Sequence, residues 1–346
     1  MVRYLGVDLH KKTFTVSFFD AASGKHKLKY YKLKNIDLFR KDLCKEDIVC
    51  VEALCNTRYF IEEISEHVSE VKVVDPYQFK VISKSVKKTD KHDAKKMAEF
   101  LSKDMIPEVK LKDKTTAQIN SLANTRDKLV KLRSVLKNKI HNLLNSQGID
   151  SKHKEFSGKK SLRNVLKYKL DTIVKIELEV IVEQIENLNE GIKKLDIELE
   201  EQGKDMDGFE NITSIKGVGN RSGTILLGTI GDINNFSSDK KLAAYFGIVP
   251  RVSQSGDKVV YGHITKRGSK LGRTTLVQCT LTAIQYSPYL RSTYDKIKKE
   301  KGCGKARIAT ARKLLGIIYN TLKNKWVFED LPNFKIKTVL NKEVVV

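Results

Sequence analysis

The chain has 346 residues, and its 65 lysines and arginines outnumber 42 aspartates and glutamates, which gives a formal net charge of +23. This length is enough for two or three domains with a sizeable core. The excess of positive charge is spread along most of the chain, and such a protein most simply pairs with a polyanion such as nucleic acid. An anionic membrane is the weaker alternative, because no segment is both strongly basic and amphipathic with aromatic anchors, and no apolar run reaches membrane-spanning length.

The cysteines and the first residues predict a cytoplasmic protein. The five cysteines show neither metal-ligand spacing nor an even disulfide framework. No secretory signal pattern opens the sequence. A reducing compartment is the natural interpretation.

Residues 1–110 predict an α/β domain. Strand patterns at 3–8, 13–20 and 25–32 are followed by a short helix at 36–43, and then by a strand at 47–52, a helix at 56–67 and a strand at 71–74. The strand at 47–52 is apolar throughout and is therefore expected at the centre of the sheet. Three antiparallel strands followed by alternating helices and strands is the order found in RNase H-like folds.

Four carboxylates in this domain are candidate metal ligands. Asp90 and Asp93 lie three residues apart at the start of a helical pattern, so they share one helix face, while Asp8 and Glu52 each end an apolar strand pattern. Mg²⁺ and Mn²⁺ prefer oxygen ligands, and two such ions about 3.5–4 Å apart can hold the attacking and leaving oxygens of a phosphoryl transfer. The structural alternative is that these acids cap neighbouring helices.

Residues 111–205 predict a helical region with a coiled coil. An apolar stripe at heptad spacing runs from 119 to 143, interrupted by Arg126 and Arg133, and a second stripe from 174 to 199 steps by alternating four and three residues. Two such helices, joined by the polar segment 146–160, would form an antiparallel hairpin or a dimerising arm. The alternative is that each stripe packs on an ordinary domain core, since periods of 3.5 and 3.6 are hard to separate over this length.

Residues 206–328 predict a mainly α-helical domain, and residues 329–346 a tail. Gly217 and Gly219, between apolar residues and a small-residue helix, are typical of a helix-hairpin-helix element, in which amides at a helix start bind a phosphate. The alternative is a plain glycine turn between packed helices. A polar segment after Pro250, a strand at 259–264 and helices at 271–286 and 304–325 complete the pattern.

Seven short motifs, in this order, resemble the IS110 family of insertion-sequence transposases, which also includes Piv-type DNA invertases. The motifs are Val-Asp-Leu-His-Lys at 7–11, Val-Glu-Ala at 51–53, Lys-Thr-Asp-Lys-His-Asp-Ala at 88–94, Ile-Lys-Gly-Val-Gly at 215–219, Ala-Ala-Tyr-Phe-Gly-Ile-Val-Pro-Arg at 243–251, Ser-Gly-Asp-Lys at 255–258 and Ile-Thr-Lys-Arg-Gly-Ser at 264–269. The resemblance implies an N-terminal RuvC-like domain with a DEDD acid set, a helical middle and a C-terminal transposase domain that carries a nucleophilic serine.

The resemblance also implies the site residues. The four acidic positions are occupied by Asp8, Glu52, Asp90 and Asp93. Ser255 matches the serine best, because it directly precedes Gly256, and Ser253 is the nearby rival. Asp257 stands where the family often has a second glycine, which leaves the conformation of this loop open.

Family members use donor DNA, target DNA and a structured bridge RNA, so the resemblance implies these partners and a homo-oligomer, either a dimer or a tetramer, in the cytoplasm of a bacterial or archaeal cell. Nothing in composition or spacing indicates the RNA. The predicted function is therefore an RNA-guided transposase or site-specific recombinase. Alternatives are a RuvC-like metal-dependent nuclease without a covalent step and an inactive nucleic-acid-binding relative.

The serine has a chemical rationale in a recombinase, because a covalent phosphoserine link retains the bond energy needed to rejoin strands. Basic side chains are expected to neutralise phosphate charge, with salt-dependent binding, although a solvated helix face is the alternative for many of them. The predicted nucleic-acid contacts are Arg126, Arg133, Lys137, Gly217, Gly219, Arg251, Lys258, Lys266, Arg267 and Arg273.

Overall fold

The computed structural model describes residues 2–82, 89–152 and 155–328. The chain divides into two compact units, Met1–Leu111 and Lys112–Val346. The predicted tail at 329–346 lies outside the described residues.

A five-stranded sheet forms the centre of the first unit, with the strand order β3-β2-β1-β4-β5. Strand β1 is antiparallel to β2 and parallel to β4, which is parallel to β5. This order confirms the predicted α/β character of the N-terminal part. The elements are β1 (Tyr4–Leu9), β2 (Thr13–Asp20), β3 (Lys25–Lys32), α1 (Ile36–Arg40), β4 (Ile48–Glu52), α2 (Thr57–Ile64), β5 (Glu70–Val74), α3 (Pro76–Ile82) and α4 (Asp90–Ser102).

Helices cover both faces of this sheet. On one face, Phe14 of β2 packs against Phe39 of α1 and Phe60 of α2, with ring centroids 5.2 and 5.1 Å apart. On the other face, Met97 and Leu101 of α4 are buried with Cys50 of β4. Because β4 is covered on both faces, its sequence is a continuous apolar run and does not alternate between apolar and polar residues.

Gly6 sets the distance between α4 and the sheet. A Cβ atom at this position of β1 would lie 2.1 Å from the carbonyl oxygen of Ala94 and 2.6 Å from the amide nitrogen of Ala98. A glycine is therefore required for the close approach of the helix backbone to the strand. The same approach brings the first turn of α4 towards the end of β1, where Asp8 lies.

The substitution Gly6→Ala is expected to lower the free energy of unfolding of the N-terminal unit by about 3 kcal/mol, because α4 must move away from the strand. Chemical denaturation of the full chain measures this loss. Gly304→Ala is the control, since a Cβ atom there meets nothing within 4 Å. Equal stability of the two variants would show that α4 does not rest on β1 in solution.

The second unit is mainly helical, as predicted, with one two-stranded sheet of β6 and β7 among its described residues. Its first five helices are α5 (Lys114–Ser146), α6 (Lys159–Asn164), α7 (Thr172–Lys204), α8 (Phe209–Thr213) and α9 (Asn220–Ile230). Helix α10 (Asp239–Tyr245) precedes the hairpin of β6 (Pro250–Ser255) and β7 (Lys258–Ile264), and α11 (Lys270–Tyr286) and α12 (Pro288–Lys323) follow it.

The two longest regular helices, α5 and α7, pack against each other. Ile140 and Leu144 of α5 share a buried cluster with Leu178, Ile181 and Ile185 of α7. All of them except Leu144, which directly follows the first stripe, belong to the two apolar stripes of the sequence, so the stripes face each other within one chain. A coiled coil that joins two chains stays a prediction.

The glycine-rich segment predicted as a helix-hairpin-helix lies between α8 and α9. Gly217, with φ of 108°, packs against the backbone of Ala283 in α11, where a Cβ atom would lie 2.6 Å from the Ala283 nitrogen. Gly219 is the N-cap of α9 and a Cβ atom there would meet nothing within 4 Å. Packing thus explains Gly217, whereas phosphate binding at Gly219 stays a prediction.

Candidate metal centre and serine hairpin

Parallel pairing of β1 and β4 places the first two carboxylates at neighbouring strand ends. Val7 is opposite Val51 in this ladder, so Asp8 and Glu52, one residue further along each strand, lie at the same edge of the sheet. Asp8 is buried, with 7% of its surface exposed, and Glu52 is half-buried. The apolar strands therefore present both acids at one edge.

The start of α4 provides the other two carboxylates. Thr89 is the N-cap of this helix, and its hydroxyl accepts a hydrogen bond from the amide of His92 at 3.3 Å. Neither Asp90 nor Asp93 is the N-cap, so the capping alternative does not apply to them. The carboxylates of Asp90 and Asp93 therefore lie in the first turn of α4 without serving as its N-cap.

The charges of the other three acids act on Asp8. Burial raises the pKa of Asp8 to about 6, and His10 opposes this rise, while the charges of Asp90, Asp93 and Glu52 add to it. A buried carboxylate on which three other acids act is costly to ionise, and a divalent cation would offset that cost. The donor set consists of hard carboxylate oxygens, which suits Mg²⁺ or Mn²⁺.

This shift predicts a pH dependence of the metal-free protein. An aspartate whose folded pKa is raised stabilises the fold when protonated, so the contribution of Asp8 is present below pH 3.8 and is lost as the pH rises through about 6. Asp8→Asn is expected to raise the free energy of unfolding at pH 7 by roughly 1–2 kcal/mol and to flatten its dependence between pH 4 and 7.

Thermal unfolding in the presence of a chelator, at a series of pH values, measures this effect. Asp20→Asn is the control with the opposite sign, because the hydroxyl of Ser23 lowers the pKa of Asp20. Identical pH profiles of the wild type and Asp8→Asn would contradict a raised pKa at Asp8.

His10, two residues after Asp8 in the sequence, also belongs to the cluster. Its Nε2 atom lies 3.1 Å from Oδ2 of Asp90 and 3.6 Å from Oδ2 of Asp8. Within the described residues, Asp8, His10 and Asp90 form one group whose ligand atoms all lie within 4.8 Å of one another. A histidine two residues after an aspartate near a strand end is a weak indication of a metal ligand by itself. The position of α4, which brings Asp90 next to His10, is what identifies it as part of the cluster.

The predicted serine lies on an exposed β-hairpin. Sequence patterns indicated β7 but not β6, whose polar residues pair with β7 from Pro250 to Ser255. Ser255 is opposite Lys258 and Ser253 is opposite Val260, so both serines share one face of the ribbon by strand alternation. The opposite face carries apolar side chains that are largely exposed: Val252, Val259 and Tyr261, at 57%, 43% and 71%.

The tight turn of this hairpin resolves the question raised by Asp257. Gly256 has φ of 56°, whereas Asp257 is not among the described residues with positive φ. Two-residue hairpin turns of type II′ require glycine at their first position only. An aspartate at the second position is therefore compatible with the turn that holds Ser255.

The root of the hairpin is fixed by close backbone contacts. A Cβ atom on Gly247 would lie 2.0 Å from the carbonyl oxygen of Arg267, and one on Gly268 would lie 2.0 Å from that of Tyr245. Nη1 of Arg273 donates to the carbonyl oxygens of Phe246 and Arg267, at 3.0 and 3.3 Å. Arg273 therefore holds the two ends of the hairpin together. This structural role accounts for an arginine at this position without the predicted contact with nucleic acid.

The remaining basic candidates fall into two groups. On α5, Arg126 donates to Asp196 at 2.8 Å and Arg133 donates to Asn189 at 2.8 Å, so both guanidinium groups bridge α5 to α7. Lys137 is half-buried, and burial lowers its pKa. The other group is exposed on or near the hairpin: Arg251, Lys258, Lys266 and Arg267. Nucleic-acid contacts stay predictions for both groups, and the exposed group is better placed for them.

A second basic surface, absent from the predicted contacts, lies on α12. This helix is interrupted at Gly302, where φ is 80° and ψ is 165°. The lysines and the arginine around this break are exposed: Lys296, Lys298, Lys299, Lys301, Lys305 and Arg307. Dense lysine spacing was visible in the sequence, but only the structure shows that none of these side chains is buried.

The sequence of the chain is similar to those of known transposases. A model of DEDD transposases of the IS110 type matches residues 5–148, and a model of the transposase family IS116/IS110/IS902 matches residues 209–295. The transposase for insertion sequence element IS1111A of Coxiella burnetii is 26% identical over 330 residues, which cover 93% of this chain and 90% of that protein. The transposase for insertion sequence element IS1328 of Yersinia enterocolitica is 26% identical over 83% of this chain and 86% of its own length. A probable family 20 transposase of Pseudomonas aeruginosa is 24% identical over 79% of this chain and 81% of its own length.

The α/β unit and these matches define a DNA transposase or recombinase, an enzyme of phosphoryl transfer. The chain belongs to the IS110-type family of insertion-sequence transposases. Among the described residues, none of the helices could span a lipid bilayer.

Proposed function

We propose that this transposase cuts and rejoins DNA through a covalent phosphoserine intermediate, with divalent metal at Asp8, Glu52, Asp90 and Asp93 and with Ser255 as the nucleophile. The metal part of the proposal is carried by the close group of Asp8, His10 and Asp90, with the charges of Glu52 and Asp93 also acting on Asp8. The serine rests on the family resemblance and on the exposure of Ser255 next to a tight turn.

Asp8, Glu52, Asp90 and Asp93 would hold the cation at the strand edge. When bound, the cation supplies positive charge to phosphate oxygens and favours the ionised form of a hydroxyl that approaches it. Oγ of Ser255 attacks phosphorus, so an O–P bond forms while the bond from phosphorus to one deoxyribose oxygen breaks. The serine proton passes to water and the departing oxygen takes up a proton. A DNA hydroxyl then attacks the phosphoserine and releases Ser255, which rejoins the strand.

Basic side chains on the hairpin would assist this reaction. Lys258, opposite Ser255 in the ladder, and Arg251 on the same strand as the serine are exposed and can neutralise phosphate charge. Arg273 would act indirectly, because it fixes the root from which the hairpin extends.

The alternative enzyme is a RuvC-like nuclease in which metal-activated water cuts the strand and leaves free ends. It uses the same carboxylates, and chelation would stop both reactions. Covalent attachment of DNA to the protein distinguishes them, because only the serine mechanism produces it. An inactive relative is disfavoured, since all four acids and the serine are present.

We further propose that a structured guide RNA accompanies the DNA partners. Support comes from the family resemblance alone, because the net charge of +23 does not distinguish RNA from DNA. Sequencing of RNA that co-purifies with the protein tests this. A single discrete RNA is the expected result, and bulk cellular RNA would contradict a guide.

A homo-oligomer is also proposed, with α5 and α7 as the contact. Lys139 lies 3.0 Å from Glu177, and exposed apolar residues lie three, four or seven positions from this pair, so they share one flank of the two helices. The flank consists of Leu132, Val135, Ile173 and Val180, which are 54%, 64%, 82% and 54% exposed. A second copy of the same flank could cover this surface.

The double substitution Val135→Lys and Val180→Lys is expected to shift the oligomer towards monomers by at least about tenfold in dissociation constant, because each lysine would be buried at an apolar contact. Analytical ultracentrifugation without nucleic acid measures the shift. Val252→Lys, on the hairpin, is the control. An unchanged oligomeric state would place the contact elsewhere.

A further inference from the structure

We propose that His10 is a protein ligand of the divalent cation at the carboxylate cluster, and that its imidazole makes this centre prefer Mn²⁺ over Mg²⁺. The proposal rests on the metal function proposed above and adds a nitrogen donor to an oxygen site. None of the DEDD positions supplies such a donor.

The geometry is that of neighbouring ligands. Nε2 of His10 lies 3.1 Å from Oδ2 of Asp90 and 3.6 Å from Oδ2 of Asp8. Adjacent ligand atoms in an octahedral shell, with bonds of about 2.1–2.2 Å, are separated by about 3 Å. The three side chains therefore need only small movements to share one cation.

The backbone of His10 is held from two sides. Its amide donates to the carbonyl oxygen of Thr13 at 2.8 Å, and its carbonyl oxygen accepts from Nδ2 of Asn56 at 3.0 Å. Asn56 follows Glu52 by four residues and precedes α2, so this bond links the loop after β1 to the loop after β4. A ligand on a loop fixed in this way loses little entropy when it binds the cation.

Another histidine of the same unit provides a contrast. His26 lies 3.1 Å from Glu99 of α4, and its Nδ1 atom lies 2.9 Å from the hydroxyl of Ser17. It therefore faces one carboxylate and one hydroxyl, which is an ordinary polar contact. His10, in contrast, faces two carboxylates on different elements, one of them the buried Asp8.

The choice of metal follows from donor chemistry. Mg²⁺ binds oxygen donors in near-ideal octahedra and seldom takes imidazole, whereas first-row transition metals accept nitrogen readily. One imidazole among carboxylates thus raises the affinity for Mn²⁺ more than that for Mg²⁺. The substitution His10→Gln is expected to weaken Mn²⁺ binding by about tenfold and Mg²⁺ binding by less.

Pulsed electron paramagnetic resonance of the full chain loaded with Mn²⁺, freed of nucleic acid, tests the ligand directly. We expect a nitrogen coupling from imidazole in the wild type, its loss in His10→Gln and its retention in His92→Gln. His92 is the matched control because it lies between Asp90 and Asp93. Titration of Mn²⁺ and Mg²⁺ into the same three proteins gives the affinity ratio.

Two results would overturn the assignment: bound Mn²⁺ without nitrogen coupling, or a coupling that survives His10→Gln. Asp8→Asn separates this proposal from the one on which it rests. If Mn²⁺ binding is unchanged in Asp8→Asn, the carboxylate centre itself is refuted. If Asp8→Asn abolishes binding while the wild type shows no nitrogen coupling, the centre stands and only the role of His10 is refuted.

Discussion

Asp90→Asn is expected to lower the rate of strand cleavage by at least about a thousandfold while the protein stays folded and binds DNA. The side chain of Asp90 is 57% exposed at the start of α4, and its Oδ2 atom lies 3.1 Å from Nε2 of His10. An amide there keeps the shape of the carboxylate but removes the charge that would hold a cation. The loss of a repulsive neighbour of Asp8 also leaves the fold no less stable.

Glu99→Gln is the matched control for this experiment. Glu99 lies on the same helix and pairs with a histidine, His26, at 3.1 Å, as Asp90 pairs with His10 at 3.1 Å. The two substitutions therefore remove equivalent charges and equivalent contacts. Only the loss at Asp90 should affect cleavage. Equal activity of the two variants would show that the acids at the start of α4 do not bind the catalytic metal.

Ser255→Ala is expected to abolish strand exchange and covalent attachment of DNA while RNA and DNA binding survive. Removal of one hydroxyl at an exposed strand end changes neither the hairpin pairing nor the turn at Gly256. The reaction is lost because no other group in the proposed mechanism forms the phosphoester that stores the bond energy. Recombination of a plasmid substrate, with gel-shift assays for binding, measures both properties.

Ser253→Ala is the control, since this serine lies on the same face of the ribbon two residues earlier. It is expected to retain strand exchange. If Ser253→Ala is inactive and Ser255→Ala is active, the nucleophile is the earlier serine. If both variants recombine DNA fully, the covalent mechanism on this hairpin is wrong.

The sequence predicted the elements that local patterns encode. The strands that carry Asp8 and Glu52 and the helix that begins at Asp90 lie within about one residue of where periodicity placed them, β1 ending at Leu9. Apolar runs and helical spacing depend on neighbouring residues only, which is why they can be recognised in one sequence. The parallel pairing of β1 with β4 then follows from the order of the elements.

Contacts between segments that are distant along the chain could not be predicted from the sequence. Nothing near Gly6 indicates that α4 crosses it, and nothing near His10 indicates that Asp90 lies 3.1 Å away. Strand β6 was missed because its polar residues do not alternate with a buried face, since both faces of the ribbon are exposed. Arg126 and Arg273 were predicted to contact nucleic acid from charge alone, but partners 70 residues away for Arg126 and 27 residues away for Arg273 engage their guanidinium groups.

The most direct test of the mechanism is to stop the reaction with denaturant, digest the protein and identify by mass spectrometry any peptide that carries a nucleotide. The serine mechanism predicts a phosphodiester link on the peptide that contains Ser255, formed only when divalent metal is present and absent from Asp90→Asn. Cleaved DNA with free ends and no nucleotide on any peptide would contradict it and would establish the RuvC-like nuclease instead.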